Sequence, residues 1–526
     1  MTEFRSYRLR IAPIARLAGL VAALLGPSPA SARTPDDTTT KSELLFALVV
    51  GVNRSTEPDL SPLRYADDDA VRYNDLFVTL GAHTELLTTL DDNTKRLHPG
   101  ERATPATLTG FSAAIERIAS KVAEARAAGK NANVYLLYAG HGIRDTHSGK
   151  GFLTLEDARL SAQQLQDLVV DRVPATQFHF IVDACHSEFL TSARGPGGSR
   201  RKIESFMNEV AIGIRDPRVG LLFATSPEAK TFEYEGFQSG VFSHLVRSGL
   251  YGGADFDLDG RISYDEIQRF VERATAAIPN EKYRPTVRAL RPVESGAILD
   301  IRSSLAAGRI EVDGTVVAAH HVLEDSNGVR ILDFHNAHGQ ALHMVRPAGP
   351  LSLAFEDVKH RSVEIDLPEG QNATQIATLV PRERTTLARG GADNAFRKLF
   401  ELPFDPRALQ EIKVHTDDYF TVLEQVDRDR DAQRRESRLF WSRAAFTTAA
   451  IATALSVGSG IALWQLSSEP GGGSNNNANV ADERNPAIRR WQNTALISGG
   501  IGVAAALTGL GITLWPTSDN RGTMGE

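Results

Sequence analysis

The sequence predicts an α/β protein: a mainly parallel sheet with flanking helices, followed by a small β module and a C-terminal transmembrane helical hairpin. Between Leu44 and about Val293, short aliphatic runs alternate with helical patterns. Residues 297–380 change to short alternating segments broken by turn residues, and two uncharged stretches of bilayer length lie near the C-terminus. The chain has 526 residues, 42% hydrophobic and 23% charged, an ordinary globular composition spread over two to four domains. A net charge of -7, with no basic stripe carrying interleaved aromatics, argues against nucleic acid as a partner.

Arg5, Arg8, Arg10 and Arg16 precede an apolar run over 17–25 and then Ala30-Ser31-Ala32, the pattern of a cleavable secretory signal, so residues 1–32 are expected to be removed. An uncleaved anchor is the alternative, for which the apolar run is short. Leu45–Val50, Val134–Tyr138, Phe178–Val182 and Gly220–Ala224 read as buried parallel strands. Residues 63–81 and 107–129 read as helices ended by glycine. Together these make one domain over residues 42–293.

The module over 297–380 is punctuated by Asp-Gly, Ser-Asn-Gly and Ala-Gly-Pro and holds no catalytic constellation, so a spacer or binding role is expected. Residues 384–440 are charged and helical in pattern, a connector. Residues 444–466 and 494–515 carry no charge, and each can cross ~30 Å of hydrocarbon as a helix. Gly499, Gly502 and Gly509 allow close helix contact, and Gly471-Gly472-Gly473 with Asn475-Asn476-Asn477 supply a flexible turn. The alternative is a pair of buried or surface-lying helices.

Orientation is contested by two signals. Arg428, Arg430, Arg434, Arg435, Arg438 and Arg443 before the first span outnumber Arg484, Arg489 and Arg490 in the loop, which favours cytoplasmic ends. The secretory signal favours the opposite and is given precedence, because acidic residues interleave with those arginines and long domains translocate largely regardless of charge. The bulk of the protein is therefore expected on the periplasmic or extracellular face, membrane-anchored.

Cys185 is the single cysteine of the chain, so no intramolecular disulfide forms, and the scattered histidines lack zinc-ligand spacing. The run Val134–Tyr138 leads into Ala139-Gly140-His141-Gly142, and Phe178–Val182 leads into Asp183-Ala184-Cys185-His186-Ser187. Functional groups gather at the carboxyl ends of parallel strands, so a histidine and a cysteine ending two such strands can be neighbours. Imidazole can take the thiol proton, and glycines beside the histidine leave backbone N–H groups for an oxyanion. Acyl transfer is the expected reaction class.

These two motifs, 44 residues apart, resemble the histidine and cysteine motifs of the caspase and metacaspase superfamily of cysteine peptidases. Leu63-Arg64-Tyr65-Ala66-Asp67-Asp68-Asp69-Ala70 is similar to the helix start of that family's large-subunit region, and residues 220–250 resemble its small-subunit region. The resemblance covers residues 42–293. It implies Cys185 as nucleophile, His141 as general base and acid, and an oxyanion held by the backbone N–H groups of Gly142 and Cys185. Glu188 and Ala139 depart from the residues common in metacaspases and bear on the pocket wall. His179 and His186 are expected to be structural.

Caspases proper carry glutamine where this chain has Asp183. The metacaspase branch has aspartates at the positions of Asp183 and Asp69, which implies a pocket for lysine or arginine before the scissile bond, with bidentate pairing favouring arginine. For Asp69 the alternative is a helix cap or solvated acid, the role also expected of Asp67 and Asp68. Residues 191–202 form a Gly/Pro/Ser-rich loop bearing Arg194, Arg200, Arg201 and Lys202, a candidate self-cleavage site or simply a solvated loop.

Asp255-Phe256-Asp257-Leu258-Asp259-Gly260-Arg261-Ile262-Ser263-Tyr264-Asp265-Glu266 matches the EF-hand calcium loop. Asp255, Asp257, Asp259, Arg261, Ser263 and Glu266 occupy the ligand positions, and Ca2+ is the expected ion. Gly252-Gly253 interrupts the entry helix, which favours a lone structural site over a paired sensor; an aspartate-rich turn is the alternative. The leading expectation is a membrane-tethered cysteine endopeptidase acting on protein or peptide substrates after Arg or Lys, autoprocessed and calcium-responsive. A catalytically silent scaffold at the membrane is the rival, and a transpeptidase of the same superfamily a third reading.

Overall fold

Strand β1 (Glu43–Gly51) opens a nine-stranded sheet in the computed structural model, which describes residues 43–145, 151–185, 216–225, 233–357, 359–384, 396–414, 416–468 and 486–514. The signal segment 1–32, the loop 191–202 and His186, Ser187 and Glu188 lie outside the described residues. Helix α1 (Ala66–Thr79) returns the chain to β2 (His83–Leu87), and α2 (Leu108–Ala127) returns it to β3 (Asn131–Arg144). Next come β4 (Gln177–Cys185), β5 (Val219–Thr225), and β7 (Thr286–Arg291), the last after α3 (Val241–Ser248), β6 (Arg261–Ser263) and α4 (Tyr264–Thr275). β2, β1, β3, β4 and β5 pair in parallel in that order, and β7 joins β5 antiparallel.

The aliphatic runs form strands because both faces of each are covered. In β1, Phe46, Leu48 and Val50 pack with Phe111, Ile115 and Ile118 of α2, while Ala47 and Val49 pack with Val71 of α1 and the core around α3. That alternation is the period of an extended chain, with apolar residues on both sides. Thr107 caps α2 by accepting from the Gly110 N–H at 3.1 Å, and the buried face of α2 repeats at helical spacing.

Three boundaries differ from the sequence-based expectation. The break expected between 293 and 297 is bridged, because β8 (Ala297–Asp300) pairs antiparallel with β6. The connector expected to be helical over 384–440 has its long helix only from Tyr419. Among residues 396–414, Phe396, Phe400 and Phe404 are buried and Phe404 stacks on Phe270 of α4 at 4.7 Å. The spacing of these aromatics imitates a helix, but Phe400 has φ of 58° and Pro403 follows, so the helix cannot propagate. Finally β10 (Thr416–Asp418) pairs in parallel with β7, so the nine-stranded sheet takes its edge strand from beyond the β module.

The module contains a three-stranded and a five-stranded sheet; its strand β9 (Arg330–His335) packs toward α3. Leu332 and Phe334 of β9 share one core with Phe237, Leu245 and Val246, so the module is docked onto the sheet domain. Helix α5 (Tyr419–Ser468) continues directly from β10, and α6 (Pro486–Leu514) lies against it, Ser456 Oγ donating to the Ala495 carbonyl at 2.9 Å. One stretch among the described residues, Arg435–Ala462, is long and apolar enough to cross a membrane by length and composition.

Candidate active site

β3 and β4 run parallel in a register that pairs Tyr138 with Val182, Ala139 with Asp183, Gly140 with Ala184 and His141 with Cys185. The two motifs therefore end side by side, one strand spacing of about 4.8 Å apart. His141 Nε2 lies 2.9 Å from the carbonyl oxygen of Ser61. A carbonyl only accepts, so Nε2 carries the proton and Nδ1 keeps the lone pair. Burial lowers the pKa of His141, with the Ser61 contact acting the other way, which keeps a neutral base in hand. Beneath it, Tyr138 Oη lies 2.8 Å from the His141 carbonyl and 2.7 Å from that of Thr154, and accepts from the Thr154 N–H at 3.1 Å. That hydroxyl fixes the backbone of β3 at the histidine.

Asp183 and Asp69 converge on Gly240. A Cβ placed at Gly240 would stand 2.8 Å from Asp183 Oδ2 and 3.0 Å from Asp69 Oδ2, so only glycine fits between the two carboxylates. Asp183 Oδ2 accepts from the Ser243 N–H at 3.1 Å and from its hydroxyl at 2.6 Å. Its Oδ1 is buried without a hydrogen-bond partner among the described residues. Burial, reinforced by the Asp69 charge, pushes the Asp183 carboxyl up to about 7.

Asp69 departs from the expectation of an open pocket acid. Its Oδ2 accepts from the Gly240 N–H at 2.8 Å, and its Oδ1 accepts from Arg247 at 2.8 Å and from the Ser239 hydroxyl. Arg247, 0% exposed, also reaches Ser239 Oγ at 3.1 Å. Both oxygens of Asp69 are thus engaged within the protein. Asp67 and Asp68 are likewise not solvated caps. Asp67 accepts from Asn53 at 2.6 Å and from the Asp91 N–H at 2.8 Å, while Asp68 is buried 3.7 Å from Arg72. The start of α1 is satisfied instead by Glu233, which accepts from the Arg64 and Tyr65 N–H groups at 2.8 Å each, and by Asn53, which accepts from Ala66 at 2.8 Å.

Sequence reasoning missed Ser61, Tyr138, Ser239, Ser243 and Arg247. Arg247 alone left a signal: one arginine on a helix whose every residue is buried. His179 matches its expected structural role, with Nδ1 2.7 Å from the Tyr264 hydroxyl in the core.

In the loop 255–266, carboxylate oxygens of Asp255, Asp257 and Asp259 lie within 4.8 Å of one another. The Gly260 N–H donates to Asp255 Oδ2 at 3.1 Å with φ of 75° at the glycine. Asp255 Oδ1 is buried and has no hydrogen-bond partner among the described residues, an orphan that a cation would satisfy. Arg261 and Ser263 sit in β6; Glu266 accepts from the Ser263 N–H and hydroxyl at 2.8 Å each, closing a capping box on α4. Its other oxygen lies 3.3 Å from the Phe256 N–H, at the loop's entrance. The donor set is all oxygen, suited to calcium.

Residues 45–289 match the family model described as the caspase domain. This part of the chain is a caspase domain. The caspase fold and cysteine-peptidase chemistry acting on protein substrates follow at the level of the family. No curated protein matches the chain. Among solved structures, caspase-1 from Spodoptera frugiperda is similar at 13% identity and a TM-score of 0.31, covering 50% of this chain and 92% of that one. A structural-genomics target from Geobacter sulfurreducens is similar at 18% identity and a TM-score of 0.29, covering 47% and 92%.

Proposed function

We propose that the caspase domain is an endopeptidase that cleaves after arginine or lysine, with Cys185 as nucleophile and His141 as its base. The cross-strand register of His141 with Cys185 carries this reading, together with an imidazole whose proton is held on Nε2. His141 Nδ1 takes the thiol proton, and the thiolate attacks the scissile carbonyl carbon. Negative charge moves to the carbonyl oxygen, stabilised by the N–H groups of Gly142 and Cys185. Collapse breaks the C–N bond, and the imidazolium returns its proton to the leaving amine. Water, deprotonated by the same histidine, then hydrolyses the thioester and frees the thiol.

The Asp183 oxygen that has no hydrogen-bond partner among the described residues supports a cationic side chain before the scissile bond. With Asp69 held by Arg247, Asp183 is the carboxylate available to that side chain, and Asp69 shapes the wall through Gly240. The loop 191–202, with its four basic residues, is the segment such an enzyme would cut in itself. Asp255, Asp257, Asp259, the Arg261 carbonyl, Ser263 and Glu266 would hold Ca2+, whose charge would order the turn between α3 and α4.

Anchorage by α5 and α6 is supported by the tryptophans. All four of the chain, Trp441, Trp464, Trp491 and Trp515, flank the two apolar stretches, as expected of residues at the two membrane interfaces. Residues 441 and 464 are separated by about 35 Å along a helix, near the thickness of a bilayer. Leu455, Ile461, Leu496, Ile497, Val503 and Leu507 are more than half exposed on this pair, surface that lipid would cover. With a cleaved signal over 1–32, the caspase domain faces the periplasm or exterior. A basic peptidyl chloromethylketone tests the catalytic reading: it should label wild type and not Cys185→Ala. Labelling of neither supports a catalytically silent scaffold.

A further inference from the structure

The wall of the candidate pocket is short and irregular. Ser239 and Gly240 follow Gln238, whose φ of 50° is unfavourable for a residue with a side chain, so something must hold the segment there. The hold comes from the β module. Arg330 of β9 lies over the Phe237 ring at 4.7 Å, and Phe237 stacks on His244 of α3 at 4.0 Å. Arg72 of α1 donates to the Phe237 carbonyl at 2.7 Å.

Asp333, 0% exposed, completes the grip. It takes both ends of the Arg330 guanidinium, with Nε at 2.6 Å, and His320 Nε2 at 3.1 Å. Its Oδ1 faces His244 Nε2 at 3.4 Å, and its backbone N–H donates to Ser248 Oγ at 3.0 Å. Ser248 in turn donates to the His244 carbonyl at 2.8 Å. Module residues thus grip both ends of the stretch 237–248. The residues between those grips, Ser239, Gly240, Ser243 and Arg247, are the ones that hold Asp69 and Asp183.

We infer that the β module is a working part of the specificity pocket, with Arg330 and Asp333 as positioning residues that set Gly240 and Ser243 against the two pocket aspartates. Neither touches substrate; they act through Phe237, His244 and Ser248. The burial of this polar cluster makes its geometry exacting, since an unpaired member is costly in a low-dielectric interior. The inference rests on the basic-pocket reading above, and its test separates the two.

The full chain is compared with Arg330→Met, Asp333→Asn and Arg330→Lys, and with Arg382→Met as a control at an exposed module residue paired to Asp366. Peptides with arginine or norleucine before the scissile bond, the rate of Cys185 alkylation by iodoacetamide, and amide hydrogen exchange over 237–248 are measured. Arg330→Met and Asp333→Asn should raise KM for the arginine peptide about tenfold or more, the change that ~1.4 kcal/mol of lost positioning produces. The norleucine reaction and the alkylation rate should move less than about twofold, amide exchange should quicken over 237–248, and Arg330→Lys should recover part of the loss because an ammonium still stacks on Phe237. Asp333→Asn could also unfold the module, so Arg330→Met, which keeps the apolar stem, decides. Unchanged KM in an active enzyme, or an equal loss on both peptides, overturns the inference while leaving the peptidase reading intact. If wild type cleaves neither peptide, the peptidase reading fails, and unchanged exchange in Arg330→Met then overturns the clamp as well.

Discussion

Asp183→Asn isolates the charge on which basic specificity depends. Asparagine is nearly isosteric, and its amide oxygen can still accept from Ser243, which now donates to Asp183 Oδ2 through N–H at 3.1 Å and Oγ at 2.6 Å. What disappears is the negative charge behind the orphan Oδ1, at a site 3% exposed. Removing one member of a buried charge pair costs ~3–5 kcal/mol. Since the hydrogen bonds to Ser243 persist, the low end applies, and ~3 kcal/mol corresponds to about 150-fold in kcat/KM. The assay is kcat/KM on paired peptides with arginine or norleucine before the scissile bond. The arginine peptide should lose about two orders of magnitude, and the norleucine peptide less than threefold. An equal loss on both, or none on arginine, refutes the assignment of Asp183 to the pocket.

Because the Asp183 carboxyl is pushed up to about 7, acid neutralises it, and kcat/KM on arginine peptides should begin to fall near that pH in wild type, whereas Asp183→Asn should fall only at the lower pH where the His141 base protonates. Linkage runs the other way for stability: the folded state binds a proton between ~4 and about 7 that the unfolded state has lost, so stability should decline as pH rises through that window, measured as Tm against pH in wild type and Asp183→Asn. Asp69→Asn leaves Arg247 buried beside a neutral partner and should lower stability by ~3–5 kcal/mol, read by denaturant unfolding, with Arg247→Met partly restoring it. Calcium at 100 times its dissociation constant should stabilise the caspase domain by ~2.7 kcal/mol, read as a Tm increase, and Glu266→Gln should remove that increase while keeping the capping box at Ser263. Tyr138→Phe, which frees the His141 carbonyl, should lower kcat about tenfold with KM unchanged.

The sheet was legible because its strands are covered on both faces, which writes them as unbroken aliphatic runs, and because chemistry-bearing residues stand where the parallel pairing of two adjacent strands ends. The pairing of His141 with Cys185 is a register fact that those motif positions anticipate. Less of the pocket could be read. Asp69 and Arg247 are 178 residues apart, and nothing local tells an arginine on a buried helix which acid it meets. β10 was invisible for another reason: Thr416-Asp417-Asp418 is a three-residue edge strand whose stabilisation comes from backbone pairing with β7 rather than from apolar side chains. The helical, charged pattern over 384–440 does not report the left-handed backbone at Phe400. Domain docking, too, is a property of surfaces, so residues that looked like a spacer turn out to brace α3.

Mass spectrometry of the protein after treatment with an arginyl chloromethylketone bears most directly on the thiol and imidazole at the last parallel pair of β3 and β4. A single adduct on Cys185, lost in His141→Ala and suppressed by an excess of arginine peptide but not norleucine peptide, is the predicted result. An unmodified Cys185, or modification at the same rate in wild type and His141→Ala, contradicts it.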